Sequence, residues 1–73
     1  MSITDRYSRS QIELLIYEWI NGANAERNRK LLARRLFDGI TFEQLAEEFE
    51  LSPKQARNIF HHCEKIIFRH VPG

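Results

Sequence analysis

The chain has 73 residues, 42% of them hydrophobic, with five Phe, two Tyr, one Trp and a formal net charge of +1. Its single cysteine, Cys63, excludes an internal disulfide and suits a reducing compartment. No apolar run approaches the roughly 18 residues that span a bilayer, and the N-terminus lacks a signal-peptide pattern. We therefore expect a cytoplasmic protein with one domain and one small core.

The composition favours an all-α fold, a small bundle of about four helices, because the chain holds only three Gly and two Pro and lacks alternating strand patterns. Residues 1–8 are polar and are expected to be frayed. A first helix is predicted at about 9–21, ending at Asn21-Gly22. Apolar side chains recur on it at helical spacing and are expected to be core: Ile12, Leu15, Ile16, Trp19 and Ile20.

A second helix is predicted at about 25–38, with Asn24 as its cap and Gly39 just past its end. Its expected core positions are Ala25, Leu32, Ala33 and Leu36. Basic residues dominate residues 26–35, and this run has two interpretations. It is either a solvated helix face or a set of contacts to the phosphates of a nucleic acid.

Residues 39–65 carry the most informative pattern in the chain. Thr41 with Gln44 forms a capping-box-like pair, followed by Phe42, Leu45, Ala46 and Phe49 on one apolar stripe. Ser52 then caps a longer helix that has Pro53 at its first position. Only about three residues separate the two helices, which is the spacing of a helix-turn-helix, predicted here at about 41–69.

The last helix has two contrasting faces. Ala56, Phe60, Cys63 and Ile67 share the expected core side, flanked by Ile59 and Ile66. The opposite side holds polar residues, none of them acidic: Lys54, Arg57, Asn58, His61 and Lys65. Arg and Asn make bidentate contacts to guanine and adenine edges, so this face predicts DNA reading in the major groove. The alternative is an ordinary solvated helix face.

These residues resemble the DNA-binding region four of bacterial sigma-70-class factors. The resemblance rests on Gly39, Thr41, the Leu45-Ala46 pair, Leu51-Ser52 and Arg57, and it covers about the last half of the chain. The stretch from Ser52 to Asn58 is equally similar to LuxR-type regulators. Gln55 and Ile59 depart from the usual family residues. The resemblance implies a role in transcription, although the chain is expected to be too short for a whole sigma factor and looks more like a phage or mobile-element regulator.

The predicted DNA contacts comprise residues of the helix pair and two arginines of the helix before it: Thr41, Ser52, Lys54, Gln55, Arg57, Asn58, His61, Lys65, Arg34 and Arg35. Because the net charge is low for a DNA-binding protein, weak non-specific binding or help from a second subunit is expected. Leu14 and Tyr17 fall on the outer side of the first long helix and suggest a homodimer or partner surface. The competing function is a protein-interaction module, for example one that binds RNA polymerase or serves as a phage-assembly adaptor, without reading DNA.

No enzyme, metal or cofactor site is predicted. His61, His62 and Cys63 are adjacent on a helix and point about 100° apart, so they do not converge on one ion. Glu43, Glu47 and Glu48 lie on a short helix with no implied pocket. Cys63 falls on the apolar side, where an inert buried thiol is the expected state.

Overall fold

The computed structural model describes residues 3–71, which form five α-helices and no strand. They are α1 (Ile3–Arg6), α2 (Arg9–Trp19), α3 (Ala25–Ala33), α4 (Phe42–Phe49) and α5 (Pro53–His70). A π-helical segment, Arg34–Asp38, continues α3 and ends at Gly39, whose φ of 64° is in the left-handed region. The predicted all-α fold is confirmed. No helix in the described part of the chain is long and apolar enough to cross a membrane.

Three helices begin with a complete capping box, in which a hydroxyl and a glutamine side chain exchange hydrogen bonds with the backbone. Ser8 pairs with Gln11 at α2, Thr41 with Gln44 at α4, and Ser52 with Gln55 at α5. Each box satisfies two backbone N–H groups that would otherwise lack a partner. Asn24 precedes α3 as predicted, but its side chain makes no capping hydrogen bond.

The long helix α5 lies at the centre of the packing and contacts α2, α3 and α4. Its buried residues are Ala56, Phe60, Cys63 and Ile67, as the sequence pattern predicted. Residues 50–52 connect α4 to α5, with Glu50 in the left-handed region at φ 57°. The N–H of Leu51 donates to the carbonyl of Ala46 over 2.8 Å, which closes the end of α4.

Three predictions about the core are wrong. Trp19 is 41% exposed, because it ends α2 and its ring stacks on His70 at the far end of α5. Leu31 is fully buried although it was not assigned to the core. Ala25 is only half-buried and is not part of the core cluster, whereas Leu15, Ala33 and Leu36, also half-buried, pack against that cluster. Each of these depends on which helix lies opposite, and helical periodicity alone does not specify that.

The expectation of a frayed N-terminus is also wrong for the residues that the structure describes. Ile3 is only 4% exposed and belongs to the main core, and α1 closes with a hydrogen bond from the N–H of Tyr7 to the carbonyl of Ile3. Burying one isoleucine side chain adds substantially to the stability that so small a core provides, and this burial holds α1 in place. Residues 1 and 2 of this N-terminal segment, and residues 72 and 73, lie outside the described residues.

Candidate nucleic-acid interface

The outer face of α5 is exposed along its N-terminal half. Lys54, Arg57 and Asn58 are all exposed and form no ion pair with another described residue. Lys65, about two turns beyond Asn58, is exposed as well. The helix can present these groups because Ala56, Phe60 and Cys63 hold its opposite side in the core. Their donors are therefore free to meet an external acceptor.

The acid-free character predicted for this face does not extend to its C-terminal half. The Glu64 carboxylate lies 3.5 Å from Nδ1 of His61, one helical turn earlier. Glu64 is seven residues after Arg57, and at about 100° per residue it therefore falls on the Arg57 side of the helix. The uninterrupted basic surface is thus confined to the first turns of α5.

Ser52 and Gln55 form the capping box at the start of α5. The Ser52 hydroxyl accepts from the N–H of Gln55 over 3.1 Å, and the Gln55 Oε1 accepts from the N–H of Ser52 over 2.9 Å. Thr41 is engaged in the same way with Gln44. The carboxamide NH₂ of Gln55 has no partner among the described residues, so Gln55 keeps its two donors for an external ligand.

Arg34 forms ion pairs with two carboxylates of its own chain. Its guanidinium donates to both oxygens of Glu48, the shortest contact being 2.9 Å, and to Oδ2 of Asp38. Hydrogen bonds to Glu48 and then to Asp38 raise the pKa of Arg34 above its ordinary value. The positive charge of Arg34 is balanced within the protein, which leaves less of it for a phosphate than the sequence suggested.

Arg35 and Arg57 lie beside one aromatic ring. The guanidinium carbon of Arg35 is 4.5 Å from the ring centroid of Phe42, and that of Arg57 is 5.4 Å from it. The His61 ring centroid lies 6.0 Å from the same point. We call Arg35, Phe42, Arg57 and His61 the Phe42 cluster. Neither arginine forms an ion pair within residues 3–71, so the cluster has two uncompensated positive charges.

The Phe42 cluster joins three segments that are separate in sequence. Arg35 comes from the π-helical segment, Phe42 from the first position of α4, and Arg57 and His61 from α5. The sequence pattern had assigned Phe42 only to the apolar stripe of α4. Its position directly after the Thr41 cap was visible in the sequence, but the cations that it meets depend on the packing of α4 against α5.

The predicted partner surface on α2 is exposed. Leu14 is 64% and Tyr17 70% accessible to solvent. The Tyr17 ring packs under the guanidinium of Arg29, whose carbon lies 4.5 Å from the ring centroid. Arg29 also donates to the carbonyls of Tyr17 and Ile20, so one basic residue of α3 closes the end of α2 instead of projecting toward a phosphate.

Cys63 is buried at the centre of the helix packing. Burial raises the pKa of its thiol, with a smaller opposing effect from the charge of Arg27. A raised pKa disfavours the thiolate, which is the nucleophilic form. Across residues 3–71, no group of three or more His, Cys, Asp or Glu side chains has an arrangement that would hold a metal ion.

No protein-family model, curated protein or solved structure matches this chain. The resemblance to sigma region four and to LuxR-type regulators therefore rests on the residues quoted above. The features of the structure that bear on function are the exposed polar face of α5 and the Phe42 cluster.

Proposed function

We propose that this protein binds double-stranded DNA with α5 in the major groove and acts as a transcriptional regulator of bacterial or phage type. The observation that carries the proposal is the exposed first half of α5, where Lys54, Arg57 and Asn58 have no ionic partner among the described residues. Residues 50–52 join α5 to the short helix α4, a spacing that supports a helix-turn-helix. A partner rich in acceptors and negative charge fits this surface.

The proposed contacts fall into two groups. Arg57 and Asn58 have the donor patterns that read guanine and adenine, and Gln55 has two free amide donors. Lys54 and Arg35 would contact phosphates, with Thr41, Ser52, His61 and Lys65 at the edges of the site. Arg34 would contribute only if its ion pair with Glu48 opened. This division predicts that few side chains determine sequence preference, while several determine affinity.

The direct test is fluorescence anisotropy of the protein with a randomised duplex pool and with a scrambled control duplex, over a salt series. Salt-sensitive binding with enrichment of a motif supports the proposal, and a palindromic motif adds a homodimer. Salt-sensitive binding without enrichment would indicate a phosphate-binding accessory domain. Absence of binding at low salt would overturn the DNA proposal.

A second candidate function is favoured by the exposed apolar pair on α2. Leu14 and Tyr17 lie on a helix that already buries Ile12 and Ile16 on its other side. Large exposed apolar side chains that lie together are typical of protein-interaction surfaces. On this proposal the surface binds a second copy of the chain or RNA polymerase. Sedimentation of the wild type and of Leu14→Glu tests self-association, and a polymerase pull-down without DNA tests the other partner.

A further inference from the structure

We infer that Phe42 determines DNA sequence selectivity without contacting a base, by positioning the Arg57 side chain that reads one. This inference rests on the proposed function. Phe42 belongs to α4, and the family resemblance and the sequence pattern assign it nothing beyond packing. The centroid of the Phe42 ring lies 5.4 Å from the guanidinium carbon of Arg57.

The ring itself is held in place. Phe42 packs edge to face on Phe60, with ring centroids 5.7 Å apart and an angle of 63° between the planes. Phe60 is a buried core residue of α5. A surface that is fixed to the core in this way can restrict a long, exposed side chain that would otherwise sample many rotamers.

Arg35, which belongs to the π-helical segment, also limits where the Arg57 side chain can lie. Its Nη1 donates to the carbonyl of Ile40 over 2.8 Å, and its guanidinium carbon is 4.5 Å from the Phe42 centroid. This hydrogen bond fixes the Arg35 guanidinium beside the Phe42 ring. There its positive charge repels the Arg57 guanidinium from the same part of the ring surface. The positions open to the Arg57 guanidinium are thereby reduced, and Arg57 forms no ion pair with a described carboxylate that would hold it elsewhere.

We expect this positioning of Arg57 to affect the selectivity between bases more than the overall affinity for DNA. A bidentate contact to a guanine edge needs one orientation of the guanidinium, whereas a phosphate accepts a cation from many directions. Ordering Arg57 before binding therefore favours the correct base over the wrong one. Loss of that ordering should lower the ratio of affinities for the selected and scrambled duplexes about three- to tenfold. The salt dependence should stay the same, because no charge is removed.

The test compares Phe42→Leu with Phe42→Tyr and with a matched control, Phe49→Leu. Phe49 is also a half-buried phenylalanine on α4, and no cation lies over its ring among the described residues. We expect Phe42→Leu to lower the affinity ratio, while Phe42→Tyr and Phe49→Leu keep it. In an Arg57→Ala background, Phe42→Leu should change the ratio no further.

A measurement on the free protein separates this inference from the proposed function. The Hε proton of Arg57 should resonate upfield of its random-coil position because of the Phe42 ring current, and Phe42→Leu should abolish the shift. A random-coil position in the wild type overturns the inference even if Phe42→Leu fails to fold. An unchanged affinity ratio in Phe42→Leu also overturns it while DNA binding stands. If the wild type binds no DNA, the proposed function and the inference fail together, and the wild-type titration alone reveals this.

Discussion

The indole of Trp19 and the imidazole of His70 stack face to face, with ring centroids 3.6 Å apart and planes 2° from parallel. This contact joins the last residue of α2 to the last residue of α5. It explains why Trp19 is partly exposed in spite of its place on an apolar stripe: one face of the ring is covered by another ring and not by the core.

Removing the His70 ring should therefore loosen the end of α5. An aromatic pair contributes about 0.5–1.5 kcal/mol, and 1 kcal/mol corresponds to roughly 4–8 °C in a domain of this size. We expect His70→Ala to lower the melting temperature by several degrees and to shift the emission of the only tryptophan to longer wavelength. His62→Ala serves as the control, because His62 is exposed and has no ring contact among the described residues. Equal effects of the two variants would contradict the stacking role.

The cap of α5 should contribute measurably to stability. Ser52→Ala removes the hydroxyl that accepts from the N–H of Gln55, and loss of such a cap costs about 0.5–2 kcal/mol. Urea denaturation would measure the change in the free energy of unfolding. Ser10→Ala is the matched control, because Ser10 is exposed within the first turn of α2 and is not its cap. That variant should change the free energy by less than about 0.5 kcal/mol.

Cys63 should make stability depend on alkaline pH. Burial raises the pKa of the folded thiol, so the unfolded thiol loses its proton at a lower pH than the folded one. The stabilisation is thus fully present below the unfolded pKa of about 8.5 and is lost as pH rises from there toward the folded pKa. We expect the wild type to lose more unfolding free energy above about pH 8.5 than Cys63→Ala does, measured by urea denaturation at matched pH. Parallel pH profiles would show that the thiol does not contribute.

Glu48 should restrain DNA binding through Arg34. Glu48→Gln removes the main carboxylate partner of Arg34 and leaves that guanidinium paired only with Asp38, so more of its positive charge is available to a phosphate. Glu47→Gln removes the same charge from an exposed neighbour that has no ion pair among the described residues. At low salt we expect a several-fold gain in affinity for Glu48→Gln and a smaller one for Glu47→Gln. Identical gains in anisotropy titrations would argue against a phosphate contact by Arg34.

The proposed base reader and a proposed backbone contact should respond differently to truncation. Arg57→Ala should cost about 1–3 kcal/mol on the selected duplex and relax the preference at one position. Lys65→Ala should weaken all duplexes alike and reduce the slope of log affinity against log salt by about one. Titrations of both variants against selected and scrambled duplexes distinguish these outcomes. An unchanged preference in Arg57→Ala would exclude base reading by this residue.

The local features of the fold could be predicted from the sequence because their causes lie within a few residues. Thr41 and Ser52 cap their helices through a glutamine three positions later, and Gly39 ends the segment before α4 in the left-handed region. The apolar side of α5 likewise follows from helical spacing. These interactions close within one helical turn, so no knowledge of the rest of the chain is needed.

The partners of the charged and aromatic side chains were decided by the tertiary structure. Arg34 and Glu48, 14 residues apart, meet because α3, which the π-helical segment continues, packs on α4. The neighbouring Arg35 instead reaches the Phe42 ring. Arg34 and Arg35 are adjacent and equally basic in the sequence, yet the charge of Arg34 is neutralised by carboxylates and that of Arg35 is not. Trp19 meets His70 only because α2 packs on α5. Composition and periodicity specify which side of a helix is apolar, but the distance between two side chains on different helices depends on how those helices pack.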